Sequence, residues 1–283
     1  MKKTKALSAV AAIYVLAYVV GYVACLPVRS VILRFFVFDL VATAVTFMFS
    51  VLLKNSSVYD PYWSLTPMVM SVWLFGLYHA FSFWQLLFLL VFNLWSLRLT
   101  VNWITVFTDF SYEDWRYRKF RDENGPVMWF IINLTGIHYV PTLVVFAGML
   151  PLFQIVRSPL GVRSLLGISV ILFGISLEFF ADRQMHAFLR TTTEKRVCQN
   201  GLWRYSRHPN YLGEISVWIG VLMTMLPYAP KFWRYGIGAL SVVVLFLSVS
   251  IPMMEKRQRQ RRIDYAQYRA ATSCLLLLPR RKK

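Results

Sequence analysis

Cysteine is scarce in this 283-residue chain: Cys25, Cys198 and Cys274 lie far apart and are odd in number, which argues against a disulfide framework and a cysteine-rich metal site. The histidines His79, His138, His186 and His208 fall in separate segments without H-E-x-x-H or Cys/His ligand spacing, so no metal centre is expected. No G-x-S-x-G elbow, phosphate-binding P-loop or G-x-G-x-x-G turn is present, which removes serine hydrolysis and Rossmann-type cofactor binding. Repeats of fixed period are missing, and low-complexity sequence is confined to Arg280-Arg281-Lys282-Lys283. Acidic residues are few, 13 against 31 Lys and Arg, giving a net charge of +18.

What is abundant is apolar sequence. The chain is 57% hydrophobic and 17% aromatic with a mean hydropathy of +0.51, and apolar runs of about 20 residues recur along its length. Continuous rather than alternating runs specify helices, so the expected fold is all-α, a polytopic transmembrane helical bundle of seven to eight spans. The spans are expected near 6–26, 31–53, 64–79, 82–107, 128–152, 160–180, 209–228 and 232–252. The first is too long for a signal-peptide core and is read as a retained span. One membrane domain over 1–283 results, with an N-terminal, substrate-side half at 1–126 and a C-terminal, cofactor-binding half at 127–283.

The positive charge then reports topology rather than nucleic acid. Of the 31 basic residues, 24 fall on alternate segments that include both chain ends, against six on the opposite side, so both termini are expected in the cytoplasm of an integral membrane protein of a bacterial inner membrane. The expected surroundings are the lipid bilayer, with no nucleic-acid partner; lipid-facing and protein-facing surfaces look alike in composition, so oligomeric state is not legible.

The densest chemistry lies in Gly201–Glu214, G-L-W-R-Y-S-R-H-P-N-Y-L-G-E, where Trp203, Tyr205, Arg207, His208, Asn210 and Tyr211 precede a carboxylate, Glu214, one turn inside an apolar helix. Ionisable groups in a bilayer are costly and point to function. Upstream, Glu178 and Asp182 share a helix face at i, i+4 and need a partner to offset their repulsion, such as an arginine or a ribose, carboxamide or adenine donor. Arg190, Lys195, Arg196, Arg204 and Arg207 lie between these features, and arginine forks suit phosphate oxygens, although a phospholipid-facing surface fits them as well.

A polar hinge, Lys54–Ser64, carries Tyr59-Asp60-Pro61-Tyr62-Trp63. Two readings fit it: a helix cap within an interfacial aromatic belt, or a proton-donating Tyr59–Asp60 pair. The loop Thr108–Pro126, with Glu113-Asp114-Trp115-Arg116-Tyr117-Arg118, reads as an interfacial amphipathic helix, and Arg98 as an arginine paired in the bundle or snorkelling.

The stretch Glu178–Glu214 resembles the C-terminal domain of the steroid 5-alpha-reductase family, and more closely its bacterial DUF1295 branch. Glu178-x-x-x-Asp182, Arg196 five residues before Gly201, Gly201-Leu202-Trp203-x-Tyr205 and Asn210-x-x-Gly213-Glu214 carry the likeness. Tyr59–Ser64, Trp95-x-x-Arg98-Leu99, Glu113–Tyr117 and Ile251–Glu255 resemble motifs of that branch. The resemblance implies NADPH as cofactor, held by Glu178, Asp182, Arg196, Trp203, Tyr205, Arg207, His208, Asn210, Tyr211 and Glu214, and hydride delivery to a carbon-carbon double bond of an apolar enone entering from the lipid. Tyr59, Asp60 and Glu214 are the expected catalytic groups. The reductases' N-terminal Gln-Glu pair has no clear counterpart, and Asp60 is only its positional candidate. Arg207-His208-Pro209-x-Tyr211-x-Gly213-Glu214 is also similar to the motif of isoprenylcysteine and phospholipid methyltransferases, which leaves an S-adenosylmethionine-dependent methyltransferase of a lipid as the alternative. A non-enzymatic lipid-binding protein is the second.

Overall fold

The computed structural model describes residues 2–192 and 195–280, and within them the chain is helical, with no strand and a single isolated bridge, Ser206 to Ser273. Six helical runs are long and apolar enough to cross a membrane: Lys2–Cys25, Val31–Leu52, Phe83–Val106, Pro126–Ile155, Ser164–Thr191 and Pro230–Arg261. Six of the eight expected spans are thus helices of full crossing length. The two expected spans that fall short are helices of 16 and 17 residues, Tyr62–Leu77 and Pro209–Met225. At 1.5 Å per residue they reach about 24–26 Å, less than a hydrocarbon core of about 30 Å.

In chain order the helices are α1 (Lys2–Cys25), α2 (Val31–Leu52), α3 (Tyr62–Leu77), α4 (Phe83–Val106), α5 (Trp115–Glu123), α6 (Pro126–Ile131), α7 (Val140–Met149), α8 (Leu152–Ile155), α9 (Ser164–Thr191), α10 (Pro209–Met225), α11 (Ile237–Leu245), α12 (Ile251–Arg261) and α13 (Tyr265–Ala271). Two of the long runs change register where proline interrupts the ladder. The π-helical stretch Ile132–Tyr139 ends just before Pro141, and a second, Phe246–Ser250, ends just before Pro252. Proline has no N–H to give the carbonyl one turn back, and the wider π turn lets neighbouring amides re-pair without breaking the helix.

The chain divides into two compact units, one of residues 1–81 and 92–157, the other of 82–91 and 158–283. In the first, α1 and α2 form a hairpin that is tightly packed at Gly21, where an added Cβ would lie 2.8 Å from the Phe38 carbonyl oxygen. Its core is rich in rings: Tyr59 stacks on Tyr62 with centroids 5.1 Å apart, and Tyr62 meets Tyr14 edge-on. The turn Asn55–Asp60 is fastened to the segment before α5. The Asn55 amide donates to the Phe110 and Tyr112 carbonyls, and the Ser56 N–H donates to Glu113 at 2.9 Å.

In the second unit, α9 and α10 are the most tightly joined pair. Gly167 and Gly174 on α9 oppose Gly220 and Gly213 on α10, and a Cβ on Gly174 would lie 2.5 Å from the Gly213 carbonyl oxygen. Small residues seven apart on both helices let the backbones touch, the usual route to helix association where burial in lipid supplies no drive.

Candidate functional site

The second unit builds a pocket at the C-terminal end of α9. At 28 residues α9 extends about 42 Å, more than a core of about 30 Å requires, and its polar C-terminal turns carry Asp182, Met185, Phe188 and Leu189. The chain then folds back. Gly201 takes a left-handed φ of 55° against the Gln184 amide, and Gln184 Oε1 accepts the Leu202 N–H at 2.8 Å. Trp203 Nε1 donates to the Ala181 carbonyl at 2.9 Å, anchoring the motif to α9 before Pro209 opens α10.

The far wall comes from α12 and α13. Asp264 accepts the Val197 N–H at 2.9 Å and the Gln199 amide, and the Tyr268 hydroxyl donates to the Trp203 carbonyl at 2.6 Å. Between these walls lies a cavity of about 400 Å³, inside the ~300–1,000 Å³ range of small-molecule sites. One side offers Asp182, Asn210 and Tyr211; the other offers Arg257, Gln258, Arg261 and Arg262, with Met254 and Met185 as apolar surface.

Of the residues expected to hold a cofactor, Asp182, Trp203, Arg207, His208, Asn210 and Tyr211 line this cavity. Glu178, Arg196, Tyr205 and Glu214 do not. Glu178 is buried with its Cγ over Gly213, and Glu214 is buried with Oε1 accepting Trp218 Nε1 at 2.8 Å. Tyr205 and Arg196 are exposed. Arg207 lines the cavity but is committed elsewhere: Nε donates to Glu255 Oε1 at 2.8 Å and Nη1 to the Arg269 and Thr272 carbonyls. It fastens the C-terminal segment; other arginines line the cavity as well. Those arginines, on α12, follow a helix-face spacing, Met254, Arg257, Gln258 and Arg261, that is readable in sequence once the basic C-terminal segment is taken as a helix rather than a charge run.

His208 lies flat against Tyr211, 5.3 Å between centroids and 6° between planes, and is buried. Its Nε2 has no hydrogen bond; Glu255 Oε1 is 3.6 Å away. Burial holds its pKa below the usual imidazole value, Glu255 opposing and Arg207 adding to the shift. His208, Glu255 and Cys274 bring possible ligand atoms within 4.8 Å of one another. Arg207 and Arg269 already sit on that carboxylate, so a cation there would meet two guanidinium charges. Burial likewise pushes the Cys198 thiol and the Tyr265 and Tyr268 phenols up.

In the first unit Tyr59 and Asp60 part company. The Tyr59 hydroxyl turns inward to Thr142 at 2.8 Å, whereas Asp60 Oδ1 accepts from Tyr117 of α5 at 2.6 Å. Burial, then the Asp114 carboxylate, push Asp60 up to about 7 from 3.8. The folded state thus keeps a proton that the unfolded chain releases near pH 4. Its contribution is complete below that pH and is lost as pH rises through about 7. Asp60→Asn is expected to flatten this fall, about 2 kcal/mol after discounting for partial exposure; apparent Tm in detergent from pH 4 to 8 measures it, and an unchanged slope contradicts the assignment.

A buried acid of the first unit also escaped the sequence reading. Asp39 sits near the middle of α2, 3% exposed, with Oδ1 accepting the Tyr62 hydroxyl at 2.9 Å. The signal was a lone acid inside an apolar run, the same rule that singles out Glu214.

A family model described as a protein of unknown function, DUF1295, matches residues 46–272. The chain belongs to the DUF1295 family. The matched span takes in every residue lining the large cavity, while Asp39 precedes it. No curated protein and no solved structure matches this DUF1295 chain.

Proposed function

We propose that the second unit binds a phosphate-bearing nicotinamide dinucleotide and that the protein is a membrane-embedded, NADPH-dependent reductase of a carbon-carbon double bond in an apolar enone. The observation that carries this reading is the charge of the cavity: Arg257, Arg261 and Arg262 line it with a single carboxylate, Asp182. Guanidinium forks favour a polyanion. S-adenosylmethionine carries a sulfonium and no phosphate, so the same wall disfavours it. Asp182 and Asn210 suit ribose hydroxyls or an amide, and His208 Nε2 is a buried ring nitrogen without a hydrogen bond at the cavity wall. A volume of about 400 Å³ suits the larger part of such a dinucleotide.

Bound there, NADPH supplies hydride. The chain's own contribution is orientation by the Trp203–Tyr211 wall and charge neutralisation by α12. In the first unit Asp39 and Tyr62 form a buried acid–phenol pair, whereas the Asp60 carboxylate is occupied by Tyr117. The reading places both termini in the cytoplasm of a bacterial inner membrane, from the bias of basic residues.

Thermal unfolding of the detergent-solubilised protein tests it. NADPH at 100 times its Kd is expected to add about 2.7 kcal/mol of stability, S-adenosylmethionine none, and Arg257→Glu/Arg261→Glu is expected to weaken NADPH binding more than about tenfold. Stabilisation by S-adenosylmethionine alone identifies a methyltransferase, and stabilisation by neither ligand a lipid-binding protein.

A further inference from the structure

The turn that carries Trp203 has an outer side that the nucleotide reading does not use. After α13 ends at Ala271, the chain runs back along this turn as a strap. Ser273 bridges Ser206, and its carbonyl accepts the Arg207 N–H at 2.9 Å. The Leu275 carbonyl accepts the Ser206 hydroxyl at 2.7 Å, and the Leu278 N–H donates to the Tyr205 carbonyl at 3.3 Å. Backbone and hydroxyl groups thus fix the strap, and its leucine side chains take no part in holding it.

Two of those leucines face outward. Leu276 is 56% exposed and Leu278 50%, while Leu275 and Leu277 are half-buried. Tyr205, whose carbonyl holds Leu278, is itself 43% exposed. Three large apolar side chains left open on adjoining segments make a patch, and such patches mark contact surfaces. α10 starts at Pro209, four residues after Tyr205, so the patch stands beside the point where the chain enters an apolar helix.

Positive charge rims the patch. Arg204 and Arg280, both exposed, flank it in sequence, and Arg280 is near enough to act on Tyr268, whose hydroxyl donates to the Trp203 and Ser206 carbonyls. Over 182–208 and 255–280 every exposed charged side chain among the described residues is basic; Asp182 and Asp264 are half-buried and Glu255 is buried. A second copy of this chain would bring the same sign of charge to the contact and is disfavoured. An anionic bilayer surface meets both halves of the patch, since leucine and tyrosine suit the headgroup–acyl boundary and arginine suits lipid phosphates.

We propose that the strap and the Tyr205 turn form a docking surface for anionic phospholipid, with Leu276, Leu278 and Tyr205 seated in the bilayer interface and Arg204 and Arg280 on lipid phosphates. Tyr205, which lies outside the cavity, acquires a role of its own. The surface is independent of what the cavity binds.

A fluorophore on Leu276→Cys tests the surface in the full-length protein without nucleotide, in a Cys274→Ser background that leaves only the buried Cys25 and Cys198. The protein is placed in nanodiscs of phosphatidylcholine and phosphatidylglycerol in equal amounts, with one lipid or the other brominated near the headgroup end of its acyl chain. Emission is expected to be quenched in both, and more strongly when phosphatidylglycerol carries the bromine, with a local enrichment of about fivefold or more, the worth of one arginine at an anionic surface. Arg204→Gln/Arg280→Gln is expected to bring the two discs toward parity. High salt is expected to do the same on the unaltered arginines, which keeps the test open should that variant fold poorly. No quenching by either lipid overturns docking to the bilayer and leaves the patch to a second copy of the chain. Equal quenching whichever lipid is brominated, indifferent to salt, overturns the anionic assignment.

Discussion

Gly174→Leu is expected to yield no folded protein, and Gly174→Ala to lose about 1–3 kcal/mol, the usual range for overpacking. A Cβ at Gly174 would meet the Gly213 carbonyl oxygen at 2.5 Å and the Val217 amide nitrogen at 3.1 Å. Ordinary contacts for such an atom begin near 3.4 Å. Both obstacles are backbone, so the helices themselves must separate, and the same holds at Gly220, where the Gly167 carbonyl lies at 2.7 Å. The pocket is affected because α9 carries Asp182 and α10 begins at the His208–Tyr211 wall. Gly76→Ala is the control. Nothing lies within 4 Å of its added Cβ, and a helical Ala in place of Gly is expected to raise stability by about 0.4–1 kcal/mol. Recovery of monodisperse protein and its apparent Tm in detergent distinguish these outcomes; equal behaviour of Gly174→Ala and Gly76→Ala contradicts the close-packed interface.

Membrane spans and the motif after Gly201 were legible because each rests on local sequence: apolar length in one case, a run of polar residues before an apolar helix in the other. Side-chain pairing was not legible, for one physical reason: a side chain's partner is set by tertiary contact. Arg207 has the residue type for a phosphate contact, but Glu255, 48 positions away, takes its Nε. Glu214 is in the motif and its carboxylate turns to Trp218 one turn on. Tyr59 and Asp60 are adjacent in sequence, yet one points to Thr142 and the other to Tyr117. The two shorter helices have a different origin. Composition registers how apolar α3 and α10 are, whereas crossing a bilayer depends on where Pro61 and Pro209 let each helix start.

Arg207→Met is expected to cost about 3–5 kcal/mol, the penalty for leaving one partner of a buried ion pair uncompensated. Arg207 and Glu255 have side chains 10% and 9% exposed, and the other guanidinium on that carboxylate, Arg269, is about half exposed and contacts it at 3.2 Å. Loss of the guanidinium also strands the Thr272 carbonyl and loosens the segment tied down by the Arg207 N–H to Ser273 carbonyl bond and the Ser206 hydroxyl to Leu275 carbonyl bond. Arg207→Met/Glu255→Leu removes both charges, so it is expected to regain part of the loss, with a coupling of about 1–3 kcal/mol in the double-mutant cycle. Arg261→Met lines the same cavity from an exposed position on α12 and is expected to leave stability within about 0.5 kcal/mol while weakening nucleotide binding. The proposed division of one basic wall is therefore that Arg207 holds the chain together and Arg261 meets the nucleotide. Unfolding midpoints and nucleotide titrations on the four variants decide between this division and a shared role, which predicts that Arg207→Met and Arg261→Met weaken binding alike at unchanged stability.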